Sequence, residues 1–247
     1  MPIAHVHLLP ELVPEEKLAG NVAVVIDVLR ATTTIVHALA AGARQVIPCL
    51  SVDDARAAAA ALPGEKVVLG GERQGVRIEG FDLGNSPSEY SPATVGGRTV
   101  VFTTTNGTRA MLRCRHARQV LLAAFANRSA VLAALAPEQV VHIVCAGTGG
   151  FITREDVLVA GSLVAGLTTG TAVWELNDEA VIARDAWLAV GVGSNHDALV
   201  RALEASQGGR NLLREGFPHD ITTAAQIDRF DILPRLSWPD GIIRLAS

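Results

Sequence analysis

An acid and a base stand where a strongly apolar run stops. Val22 to Ile26 is unbroken aliphatic chain, and it passes directly into Asp27-Val28-Leu29-Arg30-Ala31-Thr32-Thr33-Thr34. The pattern predicts a buried parallel strand, a short polar loop, and a helix through Ile35, Ala38 and Leu39 that stops at Gly42. In open α/β sheets, ligands sit beyond the carboxyl ends of the strands. An aspartate there can ligate Mg²⁺, act as a base or attack phosphorus, and an arginine can grip phosphoryl oxygens. The alternative is purely structural: a buried carboxylate paired with Arg30.

Two more apolar runs end in loops with chemistry. Thr99 to Phe102 leads into Thr103-Thr104-Thr105-Asn106-Gly107-Thr108-Arg109, and Val140 to Cys145 leads into Ala146-Gly147-Thr148-Gly149-Gly150. Gly- and Thr-rich turns that enter helices offer N–H groups and hydroxyls to an anion. The Walker A spacing is absent. A Thr- and Asn-rich cap is the alternative. Arg30, Arg73 and Arg109 are candidate clamps, although any one alone reads as a surface or ion-pair arginine. Glu155-Asp156 is a candidate metal pair, and Thr153 to Asp156 equally fits a capping box. A DxDx[TV] phosphatase would need Asp where Leu29 stands. A cysteine phosphatase built on Cys145 would need Arg at Phe151. A nicotinamidase-like hydrolase would need a lysine, and Lys66 begins a strand, at the other sheet edge.

The elements that position these loops come from an aliphatic chain. Of 247 residues 49% are hydrophobic and only 4% aromatic, which suits helices packed on a parallel sheet. The length allows a sizeable core. A net charge of −4 and the lack of a basic stripe argue against a nucleic-acid partner. Lysine occurs only at 17 and 66, so most cations are arginine forks. Cys49, Cys114 and Cys145 form no CxxC pair. There is no signal-peptide pattern and no apolar run of about 18 residues, so a soluble cytoplasmic protein is expected.

Residues 3–9 alternate as a strand with His5 and His7 on one half-exposed face, and Pro10 and Pro14 mark a loop. Gln45 to Leu50 and Lys66 to Leu69 read as strands, and Ser51 to Asp54 as a capping box before an Ala-rich helix. Residues 74–98 form a long connection, expected to be a lid or binding loop. Ala43-Arg44-Gln45-Val46 recurs as Ala117-Arg118-Gln119-Val120, an offset of 117 − 43 = 74, and Val101 follows Val25 by 101 − 25 = 76. A strand, loop, helix and strand are thus repeated. Asn127 or Ser129, Asn177, Ser194 to Asp197 and Asp220 are predicted helix caps, and Gly241 to Ala246 a final edge strand. The expectation is one α/β domain over 1–247, three-layered α/β/α, with a mostly parallel or mixed sheet and an internal strand-loop-helix duplication. If the three strands are parallel neighbours, their loops meet.

The segments VVIDVLRATTT (24–34), GER (71–73), GFDLGNSP (80–87), FTTTNGT (102–108), CAGTGG with ED and AG (145–161), and HDITTAAQIDRFDILPRL (219–236) together resemble the 2-phosphosulfolactate phosphatase family. Residues between Thr168 and Pro218 carry less of the resemblance. The resemblance implies a Mg²⁺-dependent phosphatase acting on 2-phosphosulfolactate, a small phosphorylated anion, in coenzyme M biosynthesis. The expected catalytic residues are Asp27, Arg30 and Glu72. Thr32, Thr33, Arg73, Asn85, Thr103, Thr104, Thr105, Asn106, Gly107, Thr108, Gly147 and Gly149 are the expected substrate-binding set. Asp27 with Glu155 or Asp156 would hold the metal. A homo-oligomer is compatible with this reading. The alternative from another class is a non-catalytic sensor of a small phosphorylated acid.

Overall fold

The computed structural model describes residues 1–191 and 196–246. Ser194, the cap residue expected to pair with Asp197, therefore lies outside the described residues. In chain order the elements are β1 (Ile3–His7), β2 (Val22–Ile26), α1 (Ala31–Ala40), β3 (Gln45–Cys49), α2 (Val52–Ala60), β4 (Val67–Arg73), β5 (Val76–Arg77) and α3 (Pro92–Val95). There follow β6 (Thr99–Thr103), α4 (Gly107–Arg113), β7 (Gln119–Ala123), α5 (Arg128–Leu135), β8 (Val140–Cys145), α6 (Arg154–Thr168), β9 (Glu175–Leu176) and α7 (Asp178–Val190). The chain closes with α8 (His196–Glu204), α9 (Gln207–Glu215), α10 (Pro218–Ala224), β10 (Pro234–Ser237) and β11 (Ile242–Leu245). Four short 3₁₀ turns among the described residues matter below only for the chain they lead into.

The strands form one mixed sheet in the order β5-β4-β6-β3-β11-β10-β7-β2-β8-β1-β9. β4, β6 and β3 are mutually parallel, as are β7, β2, β8 and β1. The β10–β11 hairpin joins these halves and is antiparallel to β7 and β3. Gly241 to Ala246 is therefore not an edge: β11 sits mid-sheet. Its Ile243 and the Leu236 of β10 are buried in the core between the halves, which a short chain-terminal strand does not announce by pattern.

The duplication is realised by interleaving. β2–α1–β3 and β6–α4–β7 are the repeats, and strands of one pair with strands of the other. Val22 stands opposite Gln119, and Gln45 opposite Thr99. The same register recurs with offsets of 99 − 22 = 77 and 119 − 45 = 74.

The sheet wraps round two helices. Ala23 and Val25 of β2 share one apolar cluster with Val100 and Phe102 of β6, although three further strands and the hairpin partner separate them in the ladder. Ile35 of α1 and Met111 of α4 fill the space between. Strand twist of about 20–25° per step, accumulated across the sheet, gives this concave face. The opposite face of β2, through Val24 and Ile26, packs on α6, and that of β6 and β3, through Val101 and Cys49, packs on α2. Helices thus cover both faces, making the three layers. Close packing of α6 on α7 depends on Gly161, where a Cβ would stand 1.9 Å from the Ala183 carbonyl oxygen.

Some local readings are corrected. Ser51 and Asp54 do form a reciprocal capping box, and Asn177 caps α7 through Ala180 N–H. Asn127 precedes α5 but its Oδ1 accepts the Ala124 N–H, and Ser129 binds Asp228 instead. Asp220 lies within α10 and caps nothing; Phe217 is the N-cap. His5 is half-buried as expected, but His7 is buried, because β8 runs alongside β1 and carries the buried His142.

Candidate active site

A cleft of about 330 Å³ opens where the end of β2, the start of α4, the turn after β8 and the start of α9 converge. Asp27 and Arg30 line it with Glu72, Asn85, Thr104, Thr105, Asn106 and Gly149, all expected from the sequence. Only β2 and β8 are parallel neighbours: Ala146 N–H donates to the Ile26 carbonyl at 2.8 Å and ties their ends together. The β6 loop arrives by the curl of the sheet, not by adjacency.

Asp27 is fixed from its backbone outward. Its N–H donates to Thr32 Oγ1 at 3.0 Å and its carbonyl accepts the Thr32 N–H at 2.8 Å. Oδ1 accepts the Ala31 N–H at 3.2 Å, at the first turn of α1. Oδ2 carries no hydrogen bond from the described residues and faces Gly107. A Cβ on Gly107 would stand 2.9 Å from Asp27 Oδ2, 3.4 Å from Thr104 Oγ1 and 2.7 Å from Ala31 Cβ, so only glycine lets α4 approach this closely. Burial, then the charges of Glu72 and Glu155, push the Asp27 carboxyl up to about 7 against the opposing Ala31 N–H and Arg30.

Glu72 organises loops. Its Oε1 accepts Thr105 N–H at 2.9 Å and Thr105 Oγ1 at 3.1 Å, and its Oε2 accepts the Gly75 N–H at 2.8 Å. It thereby joins the β4 end to the β6 loop. Asn106 Oδ1 accepts the Gly149 N–H at 3.2 Å, joining that loop to the turn after β8. Asn106 precedes α4 without capping it, which leaves the first-turn N–H groups at Gly107 and Thr108 open.

Arg30 does not pair with Asp27. Its Nη1 donates to Asp220 Oδ2 at 2.8 Å, its Nη2 to the Gly75 carbonyl at 3.0 Å, and its guanidinium lies 4.6 Å from the Phe217 ring centre. Asp220 Oδ1 accepts from Ser86 Oγ at 2.6 Å. The segment 85–90 is thus latched to α10.

Asp156 is no cap either. Its Oδ1 accepts Val28 N–H at 2.9 Å and its Oδ2 accepts Gly147 N–H at 3.0 Å, so it staples the β2 loop to the β8 turn. Burial, Asp27 and Glu155 hold its carboxyl well above the usual range. Glu155 is buried against the start of α9: a Cβ on Gly208 would meet its Oε1 at 2.2 Å. Burial raises its carboxyl too.

Other expected residues are placed behind the cleft lining. Thr32 Oγ1 reaches the carbonyls of Asp27 and Ala123 at 2.9 and 2.8 Å, and Thr33 Oγ1 donates to Val28 O at 2.7 Å. Arg73 donates to Glu72 O, Leu50 O and Thr103 Oγ1, which occupies both side chains. Thr108 faces an apolar pocket with Met111 and Trp238, and Gly147 serves Asp156. Arg109 lies away from the cleft beside Glu15 and Leu112. The sequence reading missed Gln74, Gly75, Gly208, Asn211, Arg214 and Glu215, which line the cleft, and Asp220 behind it. Ser206-Gln207-Gly208-Gly209 was the available signal, since Ser206 caps α9 through Gly209 N–H at 3.1 Å.

Among the described residues no three His, Cys, Asp or Glu stand as a ready metal cage. The donor set fits a hard cation all the same. Asp27 Oδ2 is uncommitted, and the buried Asn85 Oδ1 and Thr104 Oγ1 have no hydrogen-bond partner. Mg²⁺ characteristically takes one or two carboxylates and completes its shell with water and phosphate oxygens.

A family model described as 2-phosphosulpholactate phosphatase matches residues 7–238. A probable 2-phosphosulfolactate phosphatase of Symbiobacterium thermophilum is 44% identical over 223 residues, 90% of this chain and 93% of that protein. Those of Pseudothermotoga lettingae and Synechococcus sp. (strain RCC307) are 42% and 39% identical, covering 90% and 96% of this chain and 92% and 97% of theirs. With the match running almost end to end, the chain belongs to the 2-phosphosulfolactate phosphatase family.

Proposed function

We propose that the chain hydrolyses 2-phosphosulfolactate to sulfolactate and phosphate in the cytoplasm, with Mg²⁺ held at Asp27, as a step toward coenzyme M. One observation carries this reading: Asp27, buried in the cleft wall, presents a free Oδ2 beside Thr104 Oγ1, next to the uncapped first turn of α4. The charges lining the cleft point the same way. Asp27, Glu72 and Glu215 face it against Arg30 and Arg214, and Arg30 is already neutralised by Asp220. Such a cleft repels a multiply charged anion unless a cation accompanies it.

Asp27, Asn85 and Thr104 would hold Mg²⁺, which when bound supplies Lewis-acid polarisation of the phosphoryl group. The chain's own residues do the rest. Open N–H groups at Gly107 and Thr108, with the Asn106 amide, accept the charge that spreads over the phosphoryl oxygens in the transition state. Arg214, exposed on α9, faces the substrate's carboxylate and sulfonate. Glu72 and Asp156 keep these loops at fixed spacing without touching substrate.

The deciding experiment is phosphate release from 2-phosphosulfolactate in Mg²⁺ and in EDTA. Release in Mg²⁺ that EDTA abolishes is expected. Stabilisation by the substrate without release would overturn the reading in favour of a sensor. Arg214→Ala is expected to raise KM about tenfold with kcat little changed, as loss of a uniform binding contact does.

A further inference from the structure

A second cavity, of about 380 Å³, lies on the far side of the Arg30–Asp220–Ser86 latch. Its polar wall is His37, His219, Arg229 and the hydroxyls of Ser88 and Ser91, and no acidic side chain lines it. Tyr90, Phe230 and two prolines give it an apolar wall. His37 is only 7% exposed, and its Nε2 finds no hydrogen-bond partner. Buried ring nitrogens are normally paired, so an unpaired one beside a cavity marks a place for a ligand acceptor. The His37 ring stands edge-on to Phe230, centres 5.0 Å apart, and Arg229 lies over the same ring at 5.2 Å. An arginine, histidine ring nitrogens and aromatic faces thus share one concave surface.

Three segments run from this cavity to the catalytic cleft. α1 starts beside Arg30 and ends with His37, Ala40 and Ala41 on the cavity. Segment 85–90 puts Asn85 in the cleft, Ser86 on Asp220, and Pro87, Ser88 and Tyr90 on the cavity. α10 gives Asp220 to Arg30 and His219 and Thr223 to the cavity.

We propose that this cavity binds a small organic anion, a carboxylate or sulfonate on an apolar body, and that its occupancy is felt at Arg30 through α10 and segment 85–90. The anionic group would meet His37, His219 and Arg229, and the apolar body would lie against Phe230 and Tyr90. Both exposed side chains, His219 and Arg229, can be replaced without touching the core or the catalytic cleft.

The test uses phenylacetate as the probe and acetate as the control without an apolar body. At about a hundredfold excess over its dissociation constant, phenylacetate is expected to raise the unfolding midpoint by about 5 °C or more. The H219Q/R229Q protein is expected to lose that shift. Turnover of 2-phosphosulfolactate is expected to change at least twofold with saturating phenylacetate, and only where both His219 and Arg229 are present. Stabilisation surviving in H219Q/R229Q, equal stabilisation by acetate, or binding without any change in turnover would each overturn the proposal. The binding measurement needs no turnover, so failure of the phosphatase assignment would be seen separately.

Discussion

Arg30 and Asp220, 190 positions apart, meet at 2.8 Å with side chains 3% and 2% exposed. A charge so deeply buried is tolerated only because its partner is there. Asp220→Ala would leave Arg30 uncompensated and release Ser86. It is expected to cost about 3–5 kcal/mol of stability and to loosen segment 85–90. Denaturant unfolding together with hydrogen exchange over residues 85–90 checks both effects. A loss below about 1 kcal/mol would show that the latch does not hold the fold.

Asp27 stands in the opposite situation, a carboxyl pushed up to about 7 by burial and by neighbouring acids. Asp27→Asn retains an acceptor for the Ala31 N–H and removes the charge. Turnover is expected to fall by orders of magnitude. In metal-free solution at pH 8 the variant is expected to be more stable than the parent by about 1 kcal/mol or more, because the parent must ionise this group in the fold. A destabilised variant would contradict this.

Mg²⁺ and protons should compete at the same oxygen. A ligand carboxylate must be deprotonated, so Mg²⁺ affinity is expected to rise about tenfold per pH unit below 7 and to level off above it. Calorimetric titration at pH 6, 7 and 8 checks the slope. Asp27→Asn should abolish the heat.

Gly107 sets the distance between Asp27 and α4. A Cβ there would lie 2.7 Å from Ala31 Cβ and 2.9 Å from Asp27 Oδ2. Gly107→Ala is expected to cost about 1–3 kcal/mol of stability through overpacking and to lower kcat/KM by about tenfold or more. Normal kinetics would show that the approach is incidental.

The histidines of β1 and β8 predict an acid limb. His7 Nε2 and His142 Nδ1 lie 3.0 Å apart, and burial first, then neighbouring positive charge, lowers both rings to about 4. The unfolded chain takes up protons near 6.5 and the fold only near 4. Their contribution is therefore complete above pH 6.5 and lost as pH falls toward 4. His142→Gln is expected to flatten the stability profile in that window by about 1–3 kcal/mol. Denaturant midpoints at pH 5 and 7 measure it.

Local chemistry wrote much of this into the sequence. The run Val22 to Ile26 could only be a buried strand, and Asp27 had to emerge at its end. The loops after β6 and β8, the box at Ser51 and the repeat of strand, helix and strand were legible for the same reason: propensity and period act over a few residues. What the tertiary structure decided depends on contacts that no short window contains. Arg30 took Asp220 rather than Asp27, Asp156 served two distant backbone N–H groups rather than its own helix, and Gly208 to Glu215 closed the cleft from a segment without a motif. β11 entered mid-sheet because two parallel halves needed a hairpin between them, and the curl that resulted brought the Thr104–Asn106 loop to Asp27. A buried charge selects its partner by where packing places it, and packing is a property of the whole chain.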